Sequence, residues 1–373
     1  MFKYINFNFK FSKRLYVIFF QITLLVIYFL VDKYIKLDTL DKNKNENNFI
    51  NVFSYSFNQN FFAFSLIIFL IQHNNLKEVN NNEINKKIKT VNYKKNGVLY
   101  IKDIVKDKNE KKKIPYKKNK IIICILIICV LEWVIRILES LYLKDNQSYY
   151  FESLTLLMIL LLSIFLKLQI YNHHLLVIIV SLLLTIFEFS VQNLDIKEIF
   201  SSIAFHLFLG CILLIDNFIM QQLLVPPLIL FGLLGLGHII INFLTLIIVF
   251  AFFDNEFESI KNYFKNNNYK IFIQVLFVFL MRLNDIFIIY FFNPIYEVFP
   301  YFVMQIVVLF SKTDKSAKNI IINTLFAIFT MFNLLVALEI IILKVFGLEK
   351  NTKIEISKRV DSDNIEEEKF TPI

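Results

Sequence analysis

Ten long apolar stretches constrain this chain more than any other feature. A helix needs about 20 mostly apolar residues to cross the ~30 Å hydrocarbon core of a bilayer. The stretches run at 15–31, 51–72, 121–143, 150–170, 174–191, 199–223, 226–253, 271–292, 296–311 and 319–345. A soluble fold could not cover so many of them, because neighbouring apolar runs leave too little polar surface. With 57% hydrophobic and only 19% charged residues, the composition is also that of a membrane protein. The sequence is therefore read as an all-α polytopic membrane protein with about ten transmembrane helices. The second stretch is the weakest, since Asn51, Asn58, Gln59 and Asn60 interrupt its first half, and the ninth is short.

Lys10, Lys13 and Arg14 ahead of the first stretch look like the start of a secretory signal, but no small-residue cleavage site follows. The run continues through Tyr28 and Phe29 to Asp32, which reads as an uncleaved first span. Orientation follows from Lys and Arg near the span ends. The segment 1–14 carries Lys3, Lys10, Lys13 and Arg14, and the loop 74–120 holds 15 Lys against five acids. An even span count puts both of these, and the tail 346–373, on the cytosolic side. The opposite loops 32–48 and 254–270 are balanced in charge, and only 312–318, with Lys312, Lys315 and Lys318, runs against the rule. Loop 74–120 lacks apolar periodicity and is expected to be disordered and cytosolic. Its clusters Lys111-Lys112-Lys113 and Lys117-Lys118 suit contact with anionic lipid, with solvated filler as the bland alternative. The net charge of +9 therefore reflects this loop, and no nucleic acid is implied.

Gap lengths suggest two halves, 15–191 and 199–345, of five helices each. The longest gap in each half follows its second helix, and the fourth and fifth helices are tightly joined in both. An odd number of spans per half makes the second copy enter the bilayer from the other side, the inverted-repeat plan of many secondary transporters.

Ionisable groups at mid-bilayer cost about 2.5–3.5 kcal/mol each on insertion scales, so they usually face a cavity and find partners. In the third stretch Glu132, Arg136 and Glu139 follow i, i+4, i+7 spacing, which puts them on one face and lets Arg136 bond to either acid. In the eighth, Arg282 and Asp285 are i, i+3 partners with Asn284 beside them. The functional reading is a substrate pathway in which the arginines hold an anion or an acid carries a proton. The bland reading is two internal ion pairs that fix packing. Glu188, Asp216 and Glu339 lie nearer helix ends, within reach of headgroups or water. His206 and His238 sit in apolar runs, where bonding to a neighbouring helix competes with proton relay. His173 and His174 fall in a short turn at the membrane face and lack an acid or Cys at ligand spacing, so no metal site is expected. Cys124, Cys129 and Cys211 lie in apolar runs and read as small hydrophobes.

Gly232, Gly235 and Gly237 crowd into the seventh stretch, which is expected to cross a neighbour at short range. Pro226 and Pro227 suit that helix's first turn. The sequence has no phosphate-cradling Gly loop, HExxH, nucleophile elbow or Cys/His cluster, so neither catalytic residues nor a cofactor are expected.

The run Ser163-Ile-Phe-Leu-Lys-Leu-Gln-Ile-Tyr-Asn-His-His-Leu-Leu176 resembles the tight connection between helices four and five of the drug/metabolite transporter superfamily (EamA-like). Gly210-Cys-Ile-Leu-Leu-Ile-Asp-Asn-Phe-Ile-Met-Gln-Gln-Leu-Leu-Val-Pro-Pro227 looks like the sixth helix and following loop of the solute carrier 35 group, subfamily F. The stretch Ala337 to Arg359 is similar to the exit from the last helix in some members of that group. The resemblance covers roughly residues 120–359. It implies ten helices in two inverted halves around a central cavity, with passage of a small, often anionic, metabolite. The expected function is secondary transport across an intracellular membrane (Golgi, endoplasmic reticulum, vacuole or lysosome) by alternating access. The alternative is a transport-inactive membrane scaffold or receptor. The expected partners are a small-molecule substrate and the lipid bilayer, and a homodimer is compatible with the sequence.

Overall fold

The computed structural model describes residues 5–7, 15–35, 53, 56–68, 98–100, 118–142, 152–166, 170–192, 194–221, 223, 225–252, 261, 268–312 and 317–343. In chain order they form β1 (Ile5–Phe7), α1 (Tyr16–Ile35), α2 (56–68, with a 3-10 turn at Asn60–Ala63) and β2 (Val98–Tyr100). Next come α3 (Lys118–Tyr142), α4 (Glu152–Phe165), β3 (Ile170–Tyr171), α5 (Asn172–Gln192) and α6 (Ile196–Gln221). The last elements are α7 (Pro227–Phe252), α8 (Asn268–Phe291), α9 (Pro294–Lys312), α10 (Ala317–Ala337) and β4 (Ile341–Leu343). The fold is all-α apart from these short strands. Among the described residues five helices, α3, α5, α6, α7 and α8, are long and apolar enough to cross a membrane, and α1, α4 and α10 contain shorter apolar runs.

The bundle wears its apolar residues outside. On α7, Leu236, Ile240, Phe243, Leu244, Ile247 and Ile248 are exposed at helical spacing, while His238, Asn242 and Thr245 are buried. On α5, Ile179, Leu182, Leu183 and Ile186 face outward, and Ser181, Thr185 and Glu188 are buried. A soluble bundle hides its apolar stripe instead. This polarity is stable where the surroundings are hydrocarbon, because each interior polar group must then find its partner within the protein. Two of the polar residues that interrupt the second apolar stretch do so: Asn60 Oδ1 accepts from Asn242 Nδ2 at 2.7 Å, and Gln59 Nε2 donates to Glu132 Oε2 at 2.7 Å.

Helix α7 approaches its neighbours closely, as its glycines predict. A Cβ at Gly235 would run into the backbone of Phe62 and Ala63, and one at Gly232 into the side chains of Leu66 and Ser65. Phe62 of α2 stacks on Phe231 of α7 at 4.3 Å between centroids, and Phe279 of α8 meets Phe231 edge-on at 5.0 Å.

One end of the bundle is held together by backbone. β1 pairs antiparallel with β4, Ile5 opposite Leu343 and Phe7 opposite Ile341, so the approach to α1 and the exit from α10 lie side by side. β2 pairs with β3, at the entry to α5. The expectation of disorder throughout 74–120 is therefore corrected at 98–100 and at 118–120, where α3 begins; its other residues and the tail 346–373 lie outside the described residues. The tenth helix also stops at Ala337 and not at 345. Its end is a Schellman turn, with the Ile340 N–H bonding to the Leu335 carbonyl at 3.0 Å and that of Glu339 to Val336 at 3.1 Å. Glu339 takes the left-handed position with φ 57°, where glycine is the usual residue. The apolar run Ile340–Leu343 that looked like more helix is turn and strand.

Candidate functional site

A cavity of about 170 Å³ lies between the helices. It runs from Glu297 near the start of α9 to Glu139 near the end of α3 and Glu152 at the start of α4. Acids and arginines share its wall with the aromatic rings of Tyr28, Phe62, Phe205 and Tyr301.

The expected face of α3 is present, since Glu132, Arg136 and Glu139 all line the cavity. Arg136 pairs with Glu139 at 2.5 Å, whereas Glu132 turns to other helices. Its Oε1 takes Arg282 of α8 at 2.9 Å. Its Oε2 accepts from Gln59 Nε2 of α2 at 2.7 Å and lies 2.7 Å from His238 Nε2 of α7. The same nitrogen, Nη2, also donates to Oδ2 of Asp216 in α6 at 2.7 Å. One guanidinium and one carboxylate thus tie α2, α3, α6, α7 and α8 together. In a low-dielectric interior such a cluster holds only when each charge meets its opposite.

Three sequence expectations need correction here. Arg282 does not pair with Asp285; its ion pairs go to Glu132 and Asp216. Asp285 instead accepts from Gln21 Nε2 of α1 at 2.5 Å and from the Tyr301 hydroxyl of α9 at 2.9 Å. Asp216 and Glu188 do not reach toward headgroups. Asp216 is fully buried, and Glu188 is buried beneath Ser153 Oγ (2.5 Å) and Gln305 Nε2 (2.8 Å), away from the cavity lining. His173 and His174 are not in a short connecting turn at the membrane face but in the first turn of helix α5, where both are buried.

The other candidates separate cleanly. Asn284 donates to the Val17 carbonyl at 2.8 Å and Gln21 Oε1 at 3.0 Å, which seats α1 on α8. His206 meets Thr155 Oγ1 at 2.7 Å, the helix-to-helix bond expected of a buried histidine. Glu339 pairs with His173 at 3.5 Å at the strand-bound end and is not among the residues that line the cavity.

Sequence reasoning missed Glu152, Glu297, Gln21, Gln59 and Tyr301. Both glutamates are in the first turns of their helices, where an acid usually signals a helix start near the headgroups. Each is nonetheless buried, 5% and 4% exposed, and lines the cavity. A signal was available for Glu297: Tyr301 follows it by one helical turn, and Pro300 lies between them within the helix.

No family model matches the chain, and no curated protein matches it.

Proposed function

We propose that this chain is a secondary transporter of the drug/metabolite kind, with ten spans in two inverted five-helix halves, that moves a small solute across an endomembrane by alternating access. The observation that carries this reading is the cavity, lined by ionisable residues that α3 and α4 of one half and α8 and α9 of the other supply together. Membrane interiors retain such residues chiefly along substrate or ion pathways.

The packing supports the inverted repeat. α1 meets α8 and α9, just as α6 meets α3 and α4. The α4–α5 contact has its counterpart in α9–α10, while α2–α7, α4–α9 and α5–α10 each map onto themselves. Moving five helices along the chain thus carries these contacts onto one another, as a pseudo-two-fold axis requires. The β1–β4 ladder supports an even number of crossings.

The test is reconstitution into liposomes with uptake of a metabolite panel. Saturable uptake that Arg282→Gln abolishes and Arg136→Gln weakens is the expected outcome, since Arg282 joins the halves while Arg136 pairs within its own helix. If the unsubstituted protein moves nothing, the scaffold reading replaces this one.

A further inference from the structure

The charge balance of the cavity runs opposite to what an anion would need. Its lining holds five carboxylates, Glu132, Glu139, Glu152, Asp285 and Glu297, against two guanidiniums, Arg136 and Arg282. The helix N-termini at Glu152 and Glu297 contribute about half a positive charge each, which still leaves the lining acidic. The guanidiniums are also committed, Arg282 to Glu132 and Asp216 and Arg136 to Glu139.

Glu297 stands apart from the other acids. It is 4% exposed and lines the cavity, yet among the described residues its carboxylate accepts no hydrogen bond and has no ion pair. Its electrostatic neighbours are the acids Asp285, Glu152 and Asp216 and one cation, Arg282, which is already paired to Glu132 and Asp216. Tyr301, one turn further along α9, directs its hydroxyl to Asp285, so Glu297, Tyr301 and Asp285 converge on one stretch of wall. Burying a carboxylate without a donor is unfavourable, and this one lines the cavity. Aromatic faces from Tyr28, Phe62, Phe205 and Tyr301 complete the lining, and such faces attract ammonium groups.

We infer that the cavity binds a small organic cation, an amine whose ammonium is held by Glu297 and Asp285 and whose carbon skeleton lies against the aromatic wall. This rests on the cavity being a transport site and replaces the anionic substrate that the resemblance implies. Charge-assisted bonds from an ammonium to two carboxylates supply the missing donors.

The experiment is calorimetric titration of the full-length protein in nanodiscs with propylammonium, with propionate as a near-isostere of opposite charge, and with sodium. Propylammonium should bind saturably, propionate should not, and Glu297→Gln should weaken the amine by about tenfold or more. Without ligand, Glu297→Gln should also raise the melting temperature, since it replaces a buried carboxyl beside Asp285 and Glu152 with a neutral amide. Glu297→Asp, which keeps the charge on a shorter arm, should lose less affinity than Gln and serves if the first variant misfolds. Preference for propionate or for sodium, absence of saturable amine binding, or equal affinity in Glu297→Gln each overturns the inference. Propylammonium binding without uptake into liposomes leaves the inference standing and removes the transport reading.

Discussion

The two ends of the bundle are built from different chemistry. At the strand-bound end the contacts are mostly to backbone: the β1–β4 and β2–β3 ladders, His174 Nε2 at 3.3 Å from the Ala337 carbonyl, and the Tyr296 hydroxyl donating to the Leu338 carbonyl at 3.3 Å. Toward the ends of α3 and the start of α4 the contacts are between side chains, and the side chains of Arg136 and Glu139 keep 25% and 34% of their exposure. Backbone bonds between chain segments tolerate little sliding, whereas a wall of ion pairs can exchange partners. The difference teaches that this conformation is fastened at one end and polar and accessible toward the other.

The largest effect should come from the joint between the two ends. Arg282→Met leaves Glu132 and Asp216 buried without their cation, a change that typically costs about 3–5 kcal/mol. A marked loss of thermal stability in detergent is expected, and adding Glu132→Gln and Asp216→Asn to Arg282→Met should recover part of it. If Arg282→Met melts like the parent, the network does not hold the helices and the comparison of ends loses its hinge. Next in size is Gly235→Ala. The added Cβ meets backbone of α2, which cannot swing aside as a side chain could, so α7 must shift at a cost of about 1–3 kcal/mol. An unchanged melting temperature would mean that α2 and α7 are not in this contact.

The contrast can also be read by labelling in sealed vesicles. A cysteine at Glu139 should react with a charged maleimide added from one side, and one at Ile342 from the other, in a background with Cys124, Cys129 and Cys211 replaced by Ala. Labelling of both positions from the same side would defeat the assignment of opposite ends.

The sequence made the helices legible because bilayer thickness fixes their length, and helical segments occur among the described residues in each of the ten apolar stretches. Spacing likewise put Glu132, Arg136 and Glu139 on one face, since that depends only on the 3.6-residue period. What spacing could not reveal was partner choice. Arg282 passes over Asp285, one turn away, for acids on two other helices, a decision made by inter-helix geometry. Burial depth was misread for Asp216 and Glu188, and Glu152 and Glu297 were passed over, because nearness to a helix end says nothing of what covers that end. The end of α10 was misread because Ile340–Leu343 is as apolar as the helix it leaves, and hydropathy does not register a reversal of φ.

That reversal supplies the smallest test. Glu339 holds a left-handed conformation that costs a non-glycine residue about 1 kcal/mol, and its carboxylate lies 3.5 Å from His173 Nε2. Glu339→Gly removes the strain and the ion pair together, whereas Glu339→Gln keeps the strain and removes only the charge. A 3.5 Å contact to a histidine that carries charge only when protonated contributes about 1 kcal/mol, so its loss and the relief of strain nearly cancel in the glycine variant. Thermal melts should therefore place Glu339→Gly close to the parent and Glu339→Gln slightly below it. The reverse order would mean that the carboxylate matters for more than its contact with His173, and that the fastened end depends on charge as much as the cavity end does.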